Sequence, residues 1–180
     1  MADSDSETVV AEPETGGAEA HVRSYFDALA RRDPSGMAEH LREDGIEEIL
    51  PIGLMRGRAE IQAFFEELFG AVPDAETTLK RLVAEGDRVA VEWRMTGNFT
   101  GSSFQGVDAN GKHLEMRGFD LLEVADGLIT SNTAYYDGME FARQVGMMPP
   151  QDSGAEKAMK SAFNALTKAR LKIAERRGNG

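Results

Sequence analysis

The segment Lys112–Asp126, KHLEMRGFDLLEVAD, alternates with period two. Leu114, Met116, Gly118, Asp120, Leu122 and Val124 share one face; Glu115, Arg117, Phe119, Leu121 and Glu123 share the other. Side chains of a strand point to opposite faces in turn, so this length of alternation predicts a half-buried strand. The apolar face carries one carboxylate, Asp120, at its middle. An acid there must be desolvated, paired, or set in a cavity wall. Burial raises a carboxyl pKa, which makes Asp120 a candidate proton donor near neutral pH. The plainer reading is a slipped register, or a backbone hydrogen bond at a bulge. Both readings stand at this level.

The chain has 180 residues, enough for one domain with a real core. It has no apolar run long enough for a membrane span. Cysteine is absent, which excludes disulfides and thiolate chemistry. His21, His40 and His113 show no metal-ligand spacing, and no metal is expected. The net charge of −11 argues against nucleic acid as a partner. From Gln151 to Gly180 there are seven Lys or Arg against three Asp or Glu, so an acidic body precedes a basic tail.

Residues 1–17 are acidic and rich in Ser, Thr, Glu and Gly, with neither the basic nor the apolar region of a signal peptide. Disorder is expected there, and a cytoplasmic location for the protein. Ala18 to Arg32 reads as a helix with Val22, Tyr25, Phe26 and Leu29 on one stripe. A buried Tyr25 needs a partner for its hydroxyl, which backbone could equally supply. Asp33-Pro34-Ser35-Gly36 starts a short helix to about Arg42. Gly45 to Leu50, GIEEIL, is a short strand. Its more apolar face, Ile46, Glu48 and Leu50, is expected inward and would carry Glu48 with it. The competing reading leaves both glutamates at a frayed, solvated edge. Pro51 to Gly57 reads as a loop, and Arg58 to Ala71 as a helix with Ile61, Phe64, Phe65 and Leu68 on one face. Thr77 to Glu85 and Arg88 to Phe99 are strands joined by a tight Glu85-Gly86-Asp87 turn. In the second of these, Val89, Val91, Trp93 and Met95 share a face. Asp126-Gly127 leads into a last strand, Leu128 to Tyr136, and Met139 to Val145 forms a short helix.

This order is an α+β pattern, helices packed on one face of a curved, mainly antiparallel sheet. Thr96-Gly97-Asn98-Phe99-Thr100-Gly101, Phe104-Gln105-Gly106 and Gly111-Lys112 resemble a run found in SnoaL-like polyketide cyclases. So do Asp126-Gly127-Leu128-Ile129, Tyr136-Asp137, Gln144-Val145-Gly146 and Pro149. That family sits in the nuclear transport factor 2-like superfamily with ketosteroid isomerases and limonene epoxide hydrolases. The resemblance covers about residues 18–150. It implies a cone: a strongly bent sheet and three N-terminal helices around an apolar pocket, with homodimers through the sheet's outer face.

The resemblance also implies site residues. Tyr25 matches the first-helix tyrosine of the isomerase oxyanion hole, and Asp120 matches its strand acid. The isomerase base falls at Ile49 when counted from the first helix and at Glu48 when counted from Gly57; the facing argument selects Glu48. Arg94 matches the arginine of the epoxide hydrolase triad, but Thr96 and Ala134 stand where two aspartates are needed. Phe64, Arg94, Met116, Leu122 and Tyr135 are expected to line the pocket, with Arg94 also a candidate for structural ion pairing.

The tail, residues 151–180, lies outside the resemblance. Met159, Phe163, Leu166 and Ile173 form a stripe on a basic amphipathic helix, Ala155 to Arg177. Docking on its own body or on a dimer mate is the leading reading; an anionic membrane surface and a lid over the pocket are lesser ones. Two functions compete. One is a cofactor-independent acid/base enzyme acting on a small apolar ketone or polyketide through an enolate, by aldol-type cyclisation or isomerisation. The other is a non-catalytic module that binds a small apolar ligand, or an assembly protein with a vestigial pocket.

Overall fold

The computed structural model describes residues 15–178, so most of the acidic segment 1–17 lies outside the described residues, while Thr15 to Gly17, expected disordered, already belong to the first helix. The order of elements is α1 (Thr15–Ala30), α2 (Pro34–Glu39), β1 (Leu41–Ile49), β2 (Gly53–Arg56), α3 (Arg58–Ala71), β3 (Glu76–Glu85), β4 (Arg88–Asn98), β5 (His113–Ala125), β6 (Leu128–Tyr136), α4 (Gly138–Gln144) and α5 (Gly154–Gly178). The strands form one open, curled sheet in the order β2-β1-β6-β5-β4-β3. Every neighbour pair is antiparallel except β1 with β6. The expected α+β cone is therefore the fold.

Local chemistry explains the boundaries. Asp33 caps α2 by accepting from Gly36 N at 2.9 Å, and Pro34 occupies the first turn, where its missing N–H costs nothing. Asp126 and Gly127, at φ +53° and +72°, make the tight β5–β6 turn that strand twist favours. Asp137 caps α4 through Met139 N and Glu140 N at 2.9 and 3.0 Å.

The segment read as a loop, Pro51 to Gly57, contains β2, which pairs with the end of β1. Four residues are too few for a period to register in sequence. The short second helix stops at Glu39 because Leu41 already pairs with Ile129.

The core lies between the sheet's concave face and the helices. Val22, Tyr25 and Phe26 of α1 and Ile61, Phe64, Phe65 and Phe69 of α3 pack over Val89, Val91 and Met95 of β4 and Leu114, Met116 and Leu122 of β5. Burial alternates along β5 as its sequence predicts: Leu114, Met116, Asp120, Leu122 and Val124 are in, and Arg117, Phe119, Leu121 and Glu123 are out. Side chains of this size each contribute about 1.5–3 kcal/mol on burial.

Candidate functional site

Between α1, α3, α4 and the concave face lies a cavity. Its apolar wall includes Leu29, Ile49, Ile52, Phe64, Phe65, Leu68, Met95, Phe104, Met116 and Phe141. Its polar groups come from Tyr25 on α1, Glu47 on β1, Trp93 on β4 and Asp120 on β5, with Thr77 and Tyr136 at other points of the lining.

Asp120 sits opposite Val91 of β4 and Ala134 of β6, so both flanks of its carboxyl are apolar. Two donors reach it. Trp93 Nε1 donates to Oδ1 at 2.7 Å, and Asn132 Nδ2 donates to Oδ2 at 3.1 Å. Trp93 gains that reach because its register partner is Gly118. A Cβ at residue 118 would overlap the indole ring, so glycine is needed there for space. Burial pushes the Asp120 carboxyl up to about 6, against the downward pull of these two hydrogen bonds.

Glu47 is the second buried acid, at 1 % exposure. The parallel β1–β6 register sets it beside Asn132, whose Nδ2 also donates to Glu47 Oε1 at 2.9 Å. One amide thus spends its two hydrogens on two carboxyl groups. Burial, reinforced by the Asp120 charge, raises Glu47 well above the usual carboxylate range. Tyr25 is equally enclosed, and burial followed by the Glu47 and Asp120 charges raises its phenol well above its ordinary value. The Tyr25 hydroxyl and Glu47 Oε2 are both buried without a hydrogen-bond partner. Buried polar groups are normally satisfied, so two orphans in one cavity wall are an exception that packing alone does not account for.

The residues expected from sequence divide clearly. Tyr25, Asp120, Phe64 and Met116 all line the cavity. Glu48 does not: Gly45, Glu47 and Ile49 are buried and Glu48 is exposed, so β1 turns its other face inward. The apolar Ile46 and Leu50 mislead here, because the outer face of this sheet also carries apolar side chains, Leu50 and Leu54 among them.

Three further lining expectations are corrected. Arg94 lies on the convex face, paired with Glu115 at 3.1 Å. Leu122 is fully buried but lies in the core beyond Asp120, outside the cavity lining. Tyr135 points outward at 49 % exposure, and its neighbour Tyr136 lines the cavity instead. A register shift between Glu123 and Val124 explains Tyr135: Ile129 and Asn132 both face in, so parity changes along β6.

Sequence reasoning missed Glu47 and Asn132, and gave Trp93 no polar role. The one available signal was Gly118, a gap on an apolar strand face opposite the chain's single tryptophan. Among the described residues no cluster of three or more His, Cys, Asp or Glu could hold a metal ion.

A curled sheet and helices enclosing a cavity with two linked acids at its wall define a cone-shaped α+β protein. The SnoaL-like polyketide cyclase family profile matches residues 19–145, and the chain belongs to that family. The steroid Δ-isomerase of Nocardioides simplex is 31% identical over 119 residues, covering 65% of this chain and 87% of that protein. A crystal structure assigned as a SnoaL-like polyketide cyclase from Jannaschia sp. CCS1 superposes with TM-score 0.69 at 22% identity, covering 77% of this chain and 97% of its own. Another, assigned as a polyketide cyclase from Xanthomonas campestris pv. campestris, reaches 0.64 at 28% identity, covering 73% and 98%.

Proposed function

We propose that the cavity enolises a small, largely apolar ketone by proton transfer, with Asp120 as the base and Tyr25 and Glu47 as the donors that hold the oxygen. The observation that carries this is the pair of orphaned polar atoms, Tyr25 Oη and Glu47 Oε2, in the same wall as a carboxylate already fixed by two donors.

The roles follow from which acid ionises first. Asp120 accepts from Trp93 and Asn132 and titrates at about 6, so it is mainly ionised at pH 7. Its charge raises Glu47 further, so Glu47 stays protonated and Oε2 can donate. Asp120 takes a proton from the carbon next to the carbonyl. The C–H electron pair becomes the enol double bond, and charge moves to the oxygen held by Tyr25 and Glu47. Returning the proton to a different carbon gives isomerisation; attack of the enolate carbon on a second carbonyl gives aldol closure. A positioned base contributes about 10²–10⁴-fold, and each oxyanion donor about 10²–10³-fold.

One observation favours a binding role without turnover. Ile49, where counting from the first helix places the isomerase base, is apolar and lines the cavity.

The test is a titration with a planar naphthol, read by ligand ultraviolet absorption, beside an assay of a β,γ-unsaturated ketosteroid for its conjugated isomer. The proton-transfer reading expects a naphtholate spectrum in wild type that is weakened in Tyr25→Phe and Glu47→Gln and kept in Asp120→Asn, while isomer formation is lost in Asp120→Asn. Equal spectra in all four proteins, with no isomer formed, would leave the cavity as a binding site only.

A further inference from the structure

Helix α5 projects from the body with almost nothing covering it. Between Gly154 and Ala174 only Glu156 is buried, and every other residue is exposed. Glu156 fixes the root: its carboxylate accepts from Asp152 N at 2.8 Å and Arg143 Nη2 at 3.2 Å, and pairs with Lys160 Nζ at 3.0 Å. A helix of this length runs about 37 Å. Beyond that root it presents Met159, Leu166 and Ile173 at 43, 61 and 53 % exposure and Phe163 at 68 %.

Two interleaved series run along one side. Ala155, Ala162 and Ala169 are seven residues apart, as are Met159, Leu166 and Ile173, and Ala158 and Ala165 lie between them. A seven-residue apolar repeat is the seam of a coiled coil, and small residues in it let a second helix approach closely. At 3.6 residues per turn, Lys157, Lys160, Asn164 and Lys168 fall on the far side of the helix, while Arg170 on one side and Lys172, seven residues after Ala165, on the other border the seam. A helix lying on an anionic lipid surface needs bulky apolar residues flanked by cations. Here five alanines occupy the apolar side and most lysines point away from it, which favours a protein partner.

We propose that α5 pairs antiparallel with α5 of a second copy of this chain. The seam is self-complementary, as a two-fold interface requires. Charge selects the orientation. From Gly154 to Leu166 there are two lysines against one glutamate, whereas from Thr167 to Gly178 there are five cations against one glutamate. Parallel pairing would set the two strongly basic halves side by side; antiparallel pairing separates them and opposes the helix dipoles.

The experiment uses the full chain, which has no native cysteine to interfere. Single-cysteine variants are oxidised and their mass read under denaturing conditions, and native mass is measured by light scattering. The proposal expects Ala165→Cys, near the centre of the seam, to cross-link two chains. Asn164→Cys, on the far side, and Ala155→Cys, at one end, should not. Leu166→Glu should halve the native mass, with the domain's unfolding midpoint unchanged.

A monomeric wild type overturns the proposal. So does a native mass that Leu166→Glu leaves unchanged while Ala165→Cys fails to link, which would assign assembly to another face. Linking at Ala155→Cys as readily as at Ala165→Cys would show parallel pairing and overturn the orientation. A monomer that sediments with phosphatidylserine vesicles, and loses this with Leu166→Glu, would assign α5 to lipid.

Discussion

Gly118 and Trp93 face each other across β4 and β5, and the indole fills the space a Cβ at residue 118 would take. From that position Trp93 Nε1 reaches Asp120 Oδ1 at 2.7 Å. The strand face that reads as an apolar stripe with one gap is therefore shaped around a hydrogen bond to its only acid.

Gly118→Ala should push the ring aside and break that bond. Overpacking of this kind costs about 1–3 kcal/mol. Trp93 is the only tryptophan, so its emission reports this site alone. Urea unfolding followed by tryptophan fluorescence should give a lower midpoint and an altered native spectrum. Unchanged values of both would mean that the ring moves freely and the pairing is incidental.

Trp93→Phe keeps an aromatic ring and deletes the donor. The hydrogen bond lowers the Asp120 carboxyl against the upward push of burial, so its loss raises the pKa above about 6. If Asp120 is the base, activity in the wild type should rise through pH about 6, and the variant's profile should move to higher pH. An identical acid limb in both proteins would place the titrating group elsewhere.

The same shift has a stability consequence of defined sign. The folded carboxyl of Asp120 titrates near 6 and the unfolded one near 3.8, so between these values the native state binds the extra proton. Stability from this group is full below pH 3.8 and is lost as pH rises through 6. The total is on the order of 3 kcal/mol from a shift of about two pKa units. Glu47 is shifted in the same direction and adds to the slope. In paired denaturation at pH 4.5 and 7.5, Asp120→Asn should gain on wild type at the higher pH. A pH-independent difference between the two would contradict the burial argument.

Tyr25→Phe separates structure from function. The hydroxyl is buried without a partner, so deleting it relieves an unsatisfied group and should leave stability equal or raise it by up to about 1 kcal/mol. Turnover should fall by about 10²–10³-fold if the phenol holds the enolate oxygen. A stability loss would instead identify a hydrogen bond that the folded protein makes for itself.

Glu156→Ala tests the root of α5. Its carboxyl is held down to about 2, first by the Asp152 amide and then by Lys160 and Arg143, so it is ionised across the physiological range. Without it the Asp152 amide and the first turn of α5 should exchange hydrogen faster, while amides of β5 stay protected. Unchanged exchange at Asp152 would mean that the helix is anchored by other contacts.

Long, regular signals were legible in the sequence. Thirteen residues of β5 alternate without interruption, so the face that carries Asp120 was legible from pattern, and the folded chain selects the cavity wall over a slipped register. The stripes of α1 and α3 put Tyr25 and Phe64 inside for the same reason, and the motifs at Thr96–Gly101 and Asp126–Ile129 carried the family resemblance. Short or interrupted strands were not legible. In β1 the more apolar face, Ile46, Glu48 and Leu50, is the one turned outward, and Glu47 rather than Glu48 comes in beside Asn132 of the partner strand. In β6 a register shift reversed the parity that would have put Tyr135 inside. A period-two pattern determines only that faces alternate. Which face is buried depends on the neighbouring strand, the bulges that offset it, and the amide or indole available to satisfy a buried acid, and those meet only in the folded chain.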